Sequence, residues 1–113
     1  MVEGTWKLAA GTIAGEPVPE EGFLGTVLEL RDGRYTYKTT EHGTYATNTD
    51  VTPHTIDVTG DESTPAPGVS VPAIYKVEGD TMTVCYDLDF TSYPTSFEST
   101  PGTNHFLAVW KRV

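Results

Sequence analysis

The sequence predicts an all-β chain closed as an eight-stranded antiparallel up-and-down barrel, and three observations carry that prediction. Threonine and aromatic residues are frequent, the aromatics making up 11% of the 113 positions, and no long run places apolar residues at helical spacing. Short alternating runs recur along the chain, punctuated by Gly, Pro, Asp and Asn. Both ends are apolar strands able to pair with each other, and such closure removes the exposed edges that an open meander leaves. A two-sheet β-sandwich of the same strands is the alternative. The length fits a single domain, residues 1–113, with one core.

The first strand, residues 4–10, carries Trp6, Leu8 and Ala10 on one face. Residues 15–22 contain Gly15, Pro17, Pro19 and Gly22 and read as a connecting loop, with a helical turn at Pro19-Glu20-Glu21. Strands 26–31 and 34–38 flank Asp32-Gly33, a strong hairpin signal, with Leu28/Leu30 and Tyr35/Tyr37 as the inward sets. Glu41-His42-Gly43 is expected to turn the chain into a polar strand at 44–48. Thr52-Pro53 then bends it, because a proline cannot donate to a ladder and the residue before it is held extended. Strand 55–59 places Ile56 and Val58 together, and residues 60–68, rich in Pro, Gly, Ser and Thr, form a surface loop.

The clearest element follows. Tyr75/Val77 and Met82/Val84/Tyr86 alternate on either side of Glu78-Gly79-Asp80, which is a β-hairpin with a tight turn. A long irregular segment from Asp87 to Gly102 leads to the last strand, 105–112. There Phe106/Ala108/Trp110 alternate with Leu107/Val109, so the strand is apolar on both faces and is covered on both sides or lies at a barrel closure.

Charge narrows the partners. With 16 acidic against 7 basic residues the net charge is −9, which opposes phosphate backbones and anionic lipid, so neither nucleic acid nor a membrane is expected. The acids are scattered through turns, which suits solubility. No apolar run is long enough to span a bilayer as a helix, and Met1-Val2-Glu3-Gly4 lacks the basic start and apolar core of a signal peptide. The lone Cys85 excludes an internal disulfide. A cytoplasmic location is the expectation.

Six segments in order carry a resemblance. They are Gly4-Thr5-Trp6-Lys7, Gly15-Glu16-Pro17-Val18-Pro19, Pro53-His54-Thr55-Ile56-Asp57-Val58, the hairpin from Ile74 to Cys85, Pro94-Thr95-Ser96-Phe97 and Lys111-Arg112. Together they resemble, almost end to end, a small bacterial family of lipocalin-like domains first noticed as an uncharacterised repeat in Planctomycetes. Tyr93 stands where that family usually has an arginine before its proline, and Ala73 replaces a usual glycine. An anion site relying on that arginine is therefore not carried over. The resemblance implies a lipocalin-like barrel with the proline-rich loop after the first strand lying across one mouth. It also implies that Trp6 of a Gly-x-Trp signature closes the base, with Arg112, or else Lys111, packed over its indole as a cation–π pair. It implies little about chemistry, since such barrels commonly take up a small apolar or amphipathic molecule.

Candidate site residues follow from residue type and parity. His42, His54 and His105 lack the short spacing of a zinc site, and no metal or cofactor is expected. Asp57 lies mid-strand where a carboxylate is disfavoured; on a solvent face it is ordinary, and in a lumen desolvation would fit it for proton transfer. His54 shares parity with Ile56, at a barrel rim or as a strand-start histidine bonded to backbone. Cys85 reads as a small packed residue. Tyr35, Tyr37, Tyr75 and Tyr86 fall on inward parities with Met82, where phenols bring apolar area and a hydroxyl in want of a partner.

Three readings follow. The leading one is the binding of a small hydrophobic or aromatic molecule in the lumen, lined by Tyr35, Tyr37, Tyr75, Met82 and Tyr86. The second is a barrel enzyme, of cyclase or isomerase type, using Asp57, His54 or Tyr75 as acid–base groups. The third is a structural or protein-interaction module whose rings fill the core. Neither the ligand nor the oligomeric state is legible in the sequence.

Overall fold

A computed structural model of the chain describes residues 2–23 and 25–113. Its strands are β1 (Gly4–Ile13), β2 (Glu16–Pro17), β3 (Val27–Arg31), β4 (Arg34–Tyr37), β5 (Glu41–Asn48), β6 (His54–Gly60), β7 (Ser70–Glu78), β8 (Thr81–Asp87) and β9 (His105–Arg112). One 3₁₀ turn, Glu20–Gly22, sits where the Pro19-Glu20-Glu21 signal placed it. Successive long strands pair antiparallel, and β9 returns to pair with β1 from Trp6↔Arg112 to Ile13↔Phe106. The result is a closed eight-stranded antiparallel barrel with one extra strand, the two-residue β2 on the edge of β1. Strand number, order and closure are those of a lipocalin-like barrel, and the sandwich alternative is excluded.

The turns show how local chemistry sets the register. Asp32 and Gly33, between Arg31 and Arg34, both have positive φ, 53° and 78°, as a type I′ hairpin requires. In the β7–β8 hairpin only Gly79 is left-handed, at 62°, and Glu78 pairs with Thr81 across Gly79-Asp80, which is type II′ geometry.

Three local expectations need correction. The β4–β5 turn lies at residues 38–40 rather than at Glu41-His42-Gly43, with Lys38 and Thr39 themselves left-handed, so His42 sits within a strand. Gly43 instead serves close packing: a Cβ there would run into the Tyr35 ring and the Thr59 carbonyl. In β1 the register shifts between Leu8 and Ala10, which turns Ala10 outward and Gly11 inward. β7 begins earlier than expected, at Ser70, despite Pro72. Pro72 pairs with Asp57 on β6 but lies beyond the last β7–β8 partners, Ala73↔Tyr86.

Inward faces build one core from Trp6, Leu28, Leu30, Tyr35, Ile56, Ala73, Tyr75, Met82, Val84, Ala108 and Trp110, all buried. The long segment between β8 and β9 wraps the outside of the wall. Within it the Tyr93 hydroxyl donates to Asp57, the Lys76 ammonium lies 5.0 Å from the centre of the Phe97 ring, and the Glu98 carbonyl lies 3.6 Å from Cys85 Sγ. This strap explains why Ile74 and Cys85, which face outward, are buried. Its start is fixed by Asp87, 2% exposed, whose carboxylate accepts bonds from the Asp89, Thr91 and Ser92 amides and the Thr91 hydroxyl at 3.0–3.1 Å. Burial opposes the charge of Asp87, but those four donors outweigh it and bring its carboxyl down to about 2.

Candidate functional site

The two ends of the barrel differ in how they are filled. At the end holding the chain termini, the Trp6 indole is fully buried and donates from Nε1 to the Val2 carbonyl at 2.9 Å. The Arg112 guanidinium lies 4.2 Å from the centre of the Trp6 ring and donates to the Glu3 carbonyl at 2.9 Å. Gly4 has a φ of 136°, and a Cβ on it would stand 2.6 Å from an Arg112 nitrogen, so the glycine two positions before the tryptophan leaves room for the cation. Lys111 instead bonds the Thr81 hydroxyl on the surface.

Toward the opposite end the barrel widens into a cavity of about 290 Å³. Its walls are Leu28, Leu30, Ile56, Val58, Met82 and Val84 together with the rings of Tyr35, Tyr37, Tyr86, Phe106 and Trp110; Glu41, Val71 and Leu88 stand near the mouth. Two ring pairs shape it. Tyr37 meets Trp110 edge-on at 6.5 Å and 82°, and Tyr86 stacks on Phe106 at 5.6 Å and 18°. Burial, followed by the nearby Glu41 carboxylate, raises the Tyr35 and Tyr37 phenols, so both are neutral donors at physiological pH. Burial raises Tyr86 further, only partly offset by the Trp110 indole N–H. Tyr86 is half-buried, and its ring faces the cavity.

Sequence-expected residues divide between regions. Tyr35, Tyr37, Met82 and Tyr86 meet in this cavity. Tyr75 points inward but packs at the base, 6% exposed, against the His54 ring at 5.6 Å, and lines a depression there with Val2 and Lys76. Asp57 is on the outer wall, where the Tyr93 hydroxyl donates to its two carboxylate oxygens at 2.9 and 2.7 Å. Asp57 therefore shares no pocket with His54 and Tyr75, which meet each other at the base without it. The outer furrow around Asp57 is larger, about 680 Å³, but it is a surface trough between the strap and β5–β7, whereas the 290 Å³ space lies within the barrel.

Sequence reasoning did not place Val58, Phe106 or Trp110 in a site, although each falls on an inward parity. Leu88 and Val71 carry no signal, since they lie beyond the alternating runs of the sequence. Cys85 is buried under the strap, and burial pushes its thiol up, as suits a packed residue. Among the described residues no group of His, Cys, Asp and Glu could hold a metal ion, and no helix is long and apolar enough to cross a membrane. Compared with known protein families, with curated proteins and with solved structures, the chain matches none.

Proposed function

We propose that this domain binds a small hydrophobic, ring-bearing molecule in the lumen of a lipocalin-like barrel. The observation that carries the reading is the aromatic-walled cavity of about 290 Å³ inside an otherwise well-packed core. That is roughly twice the ~150 Å³ apolar cavity that takes up one benzene, so a ligand of about two fused rings fits. The ring pairs offer flat surfaces for stacking, and aliphatic walls supply area at about 25 cal/mol per Å² buried. Kinship with the bacterial lipocalin-like domains is part of the same reading, supported by the Gly4-Thr5-Trp6 and Arg112 arrangement at the base. A cytoplasmic setting suits the unpaired, buried Cys85.

The test is fluorescence titration with the neutral dye N-phenyl-1-naphthylamine, on the wild-type protein and on Val58→Trp, which narrows the cavity from its wall. Saturable enhancement that Val58→Trp abolishes is expected. Absence of binding, or binding that ignores the substitution, contradicts lumen binding. Native mass spectrometry of freshly isolated protein offers a route to the natural ligand, as a mass adduct lost in Val58→Trp.

A further inference from the structure

The cavity wall carries hydrogen-bonding capacity that the protein does not use. Trp110, 1% exposed, has an Nε1–H with no hydrogen-bond partner among the described residues. The polar group beside it is the Tyr86 hydroxyl, close enough for the indole N–H to favour the phenolate, yet outside hydrogen-bond geometry. The indole N–H can only donate. Tyr86 therefore faces a donor and finds no acceptor for its own proton among the described residues. A buried indole N–H left in this way is costly, and a small shift satisfies it: the indole donates to the phenol oxygen, and the phenol O–H, which faces the cavity, points into the lumen.

The rest of the lining restricts what accepts that proton. No Lys, Arg or His lines the cavity, and its one charged residue among those described is Glu41. A carboxylate or phosphate brought here loses its hydration with no cation to replace it and meets a like charge. A neutral oxygen avoids both costs.

Resting on the lumen-binding reading, we propose that Tyr86 donates a hydrogen bond to a neutral carbonyl oxygen of the ligand, with Trp110 Nε1–H as the donor behind it. The ligand class is an uncharged ketone, ester or amide on a frame of about two fused rings. Selectivity then comes from the unmet donor, because a site built to pair a polar group discriminates against ligands that lack one.

The experiment compares 2-acetylnaphthalene with 2-ethylnaphthalene, its near-isostere without the oxygen, and with 2-naphthoate, on wild type and Tyr86→Phe. Titration should show that Tyr86→Phe weakens the ketone roughly tenfold and changes the ethyl compound less than twofold, as loss of one hydrogen bond entails. The infrared carbonyl stretch of 2-acetylnaphthalene bound to wild type, which needs no variant, should lie below its value in alkane solution. Equal effects of Tyr86→Phe on ketone and ethyl compound, or an unshifted carbonyl stretch, overturn the donor assignment while leaving lumen binding intact. Tighter binding of 2-naphthoate than of the ketone overturns the neutral class. Failure of all three probes to bind wild type overturns lumen binding itself.

Discussion

The two tryptophans of the barrel sit on paired strands and are almost equally hidden, Trp6 at 0% and Trp110 at 1% exposure, yet they belong to different kinds of interior. Trp6 has its N–H satisfied, a cation over its ring and Val2 folded beneath it. Trp110 has no partner for its N–H among the described residues and looks onto a cavity lined in part by Tyr37, Val58, Tyr86 and Phe106, which are only partly buried. The difference teaches that burial alone does not mark the core of this barrel. One end is closed by groups that satisfy one another, and the other leaves apolar area and donors facing open space.

Replacement of rings at the two ends breaks or sharpens that distinction most strongly. Trp6→Ala should cost about 3–5 kcal/mol, as loss of a fully packed ring does. Phe106→Ala should cost less than half as much, because its ring already borders the cavity. Denaturant unfolding of both variants measures this, and equal losses would erase the distinction between the ends.

The strap that begins near the mouth gives the next largest effect. The Asp87 carboxyl is lowered in the fold to about 2 from an ordinary value near 3.8, so its contribution is present above about pH 4 and is lost as pH falls through about 2. Asp87→Asn should therefore lose about 2 kcal/mol at pH 7 and match the parent near pH 2, read from unfolding curves at both pH values.

At the base, Arg112→Ala should cost about 1 kcal/mol through the lost indole contact and the bond to Glu3, with Lys111→Ala within about 0.5 kcal/mol of the parent. The reverse order would assign the closure to the wrong cation. Smallest of all, Val58→Trp should change stability by less than about 1 kcal/mol, where the same enlargement in a filled core costs about 1–3 kcal/mol. A larger loss would mean that the mouth is packed as tightly as the base.

Much of this contrast was legible in the residues. Alternation and turn chemistry located the hairpins at Asp32-Gly33 and Gly79-Asp80, because left-handed turn residues and period-two patterning act locally. Parity placed Tyr35, Tyr37, Met82 and Tyr86 inward, and the cavity contains all four. Parity has no depth coordinate, however, so Tyr75 read like its companions although it fills the base. Asp57 left two faces open because alternation does not say which side is the lumen, and its partner on the outer face is a strap residue, Tyr93, 36 positions away. The Lys38–Thr39 turn escaped notice because two exposed non-glycine residues take its left-handed positions, while Gly43, the apparent turn residue, makes room for a ring.

Lumen binding is tested most directly by locating a bound probe. In NMR spectra of the protein saturated with 2-ethylnaphthalene, nuclear Overhauser effects should connect the probe's ring protons to the methyl groups of Ile56, Val58 and Val84, which line the cavity. Contacts to Val51 and Ile74, which line the outer furrow, with none to Val58 or Val84, would contradict binding inside the barrel.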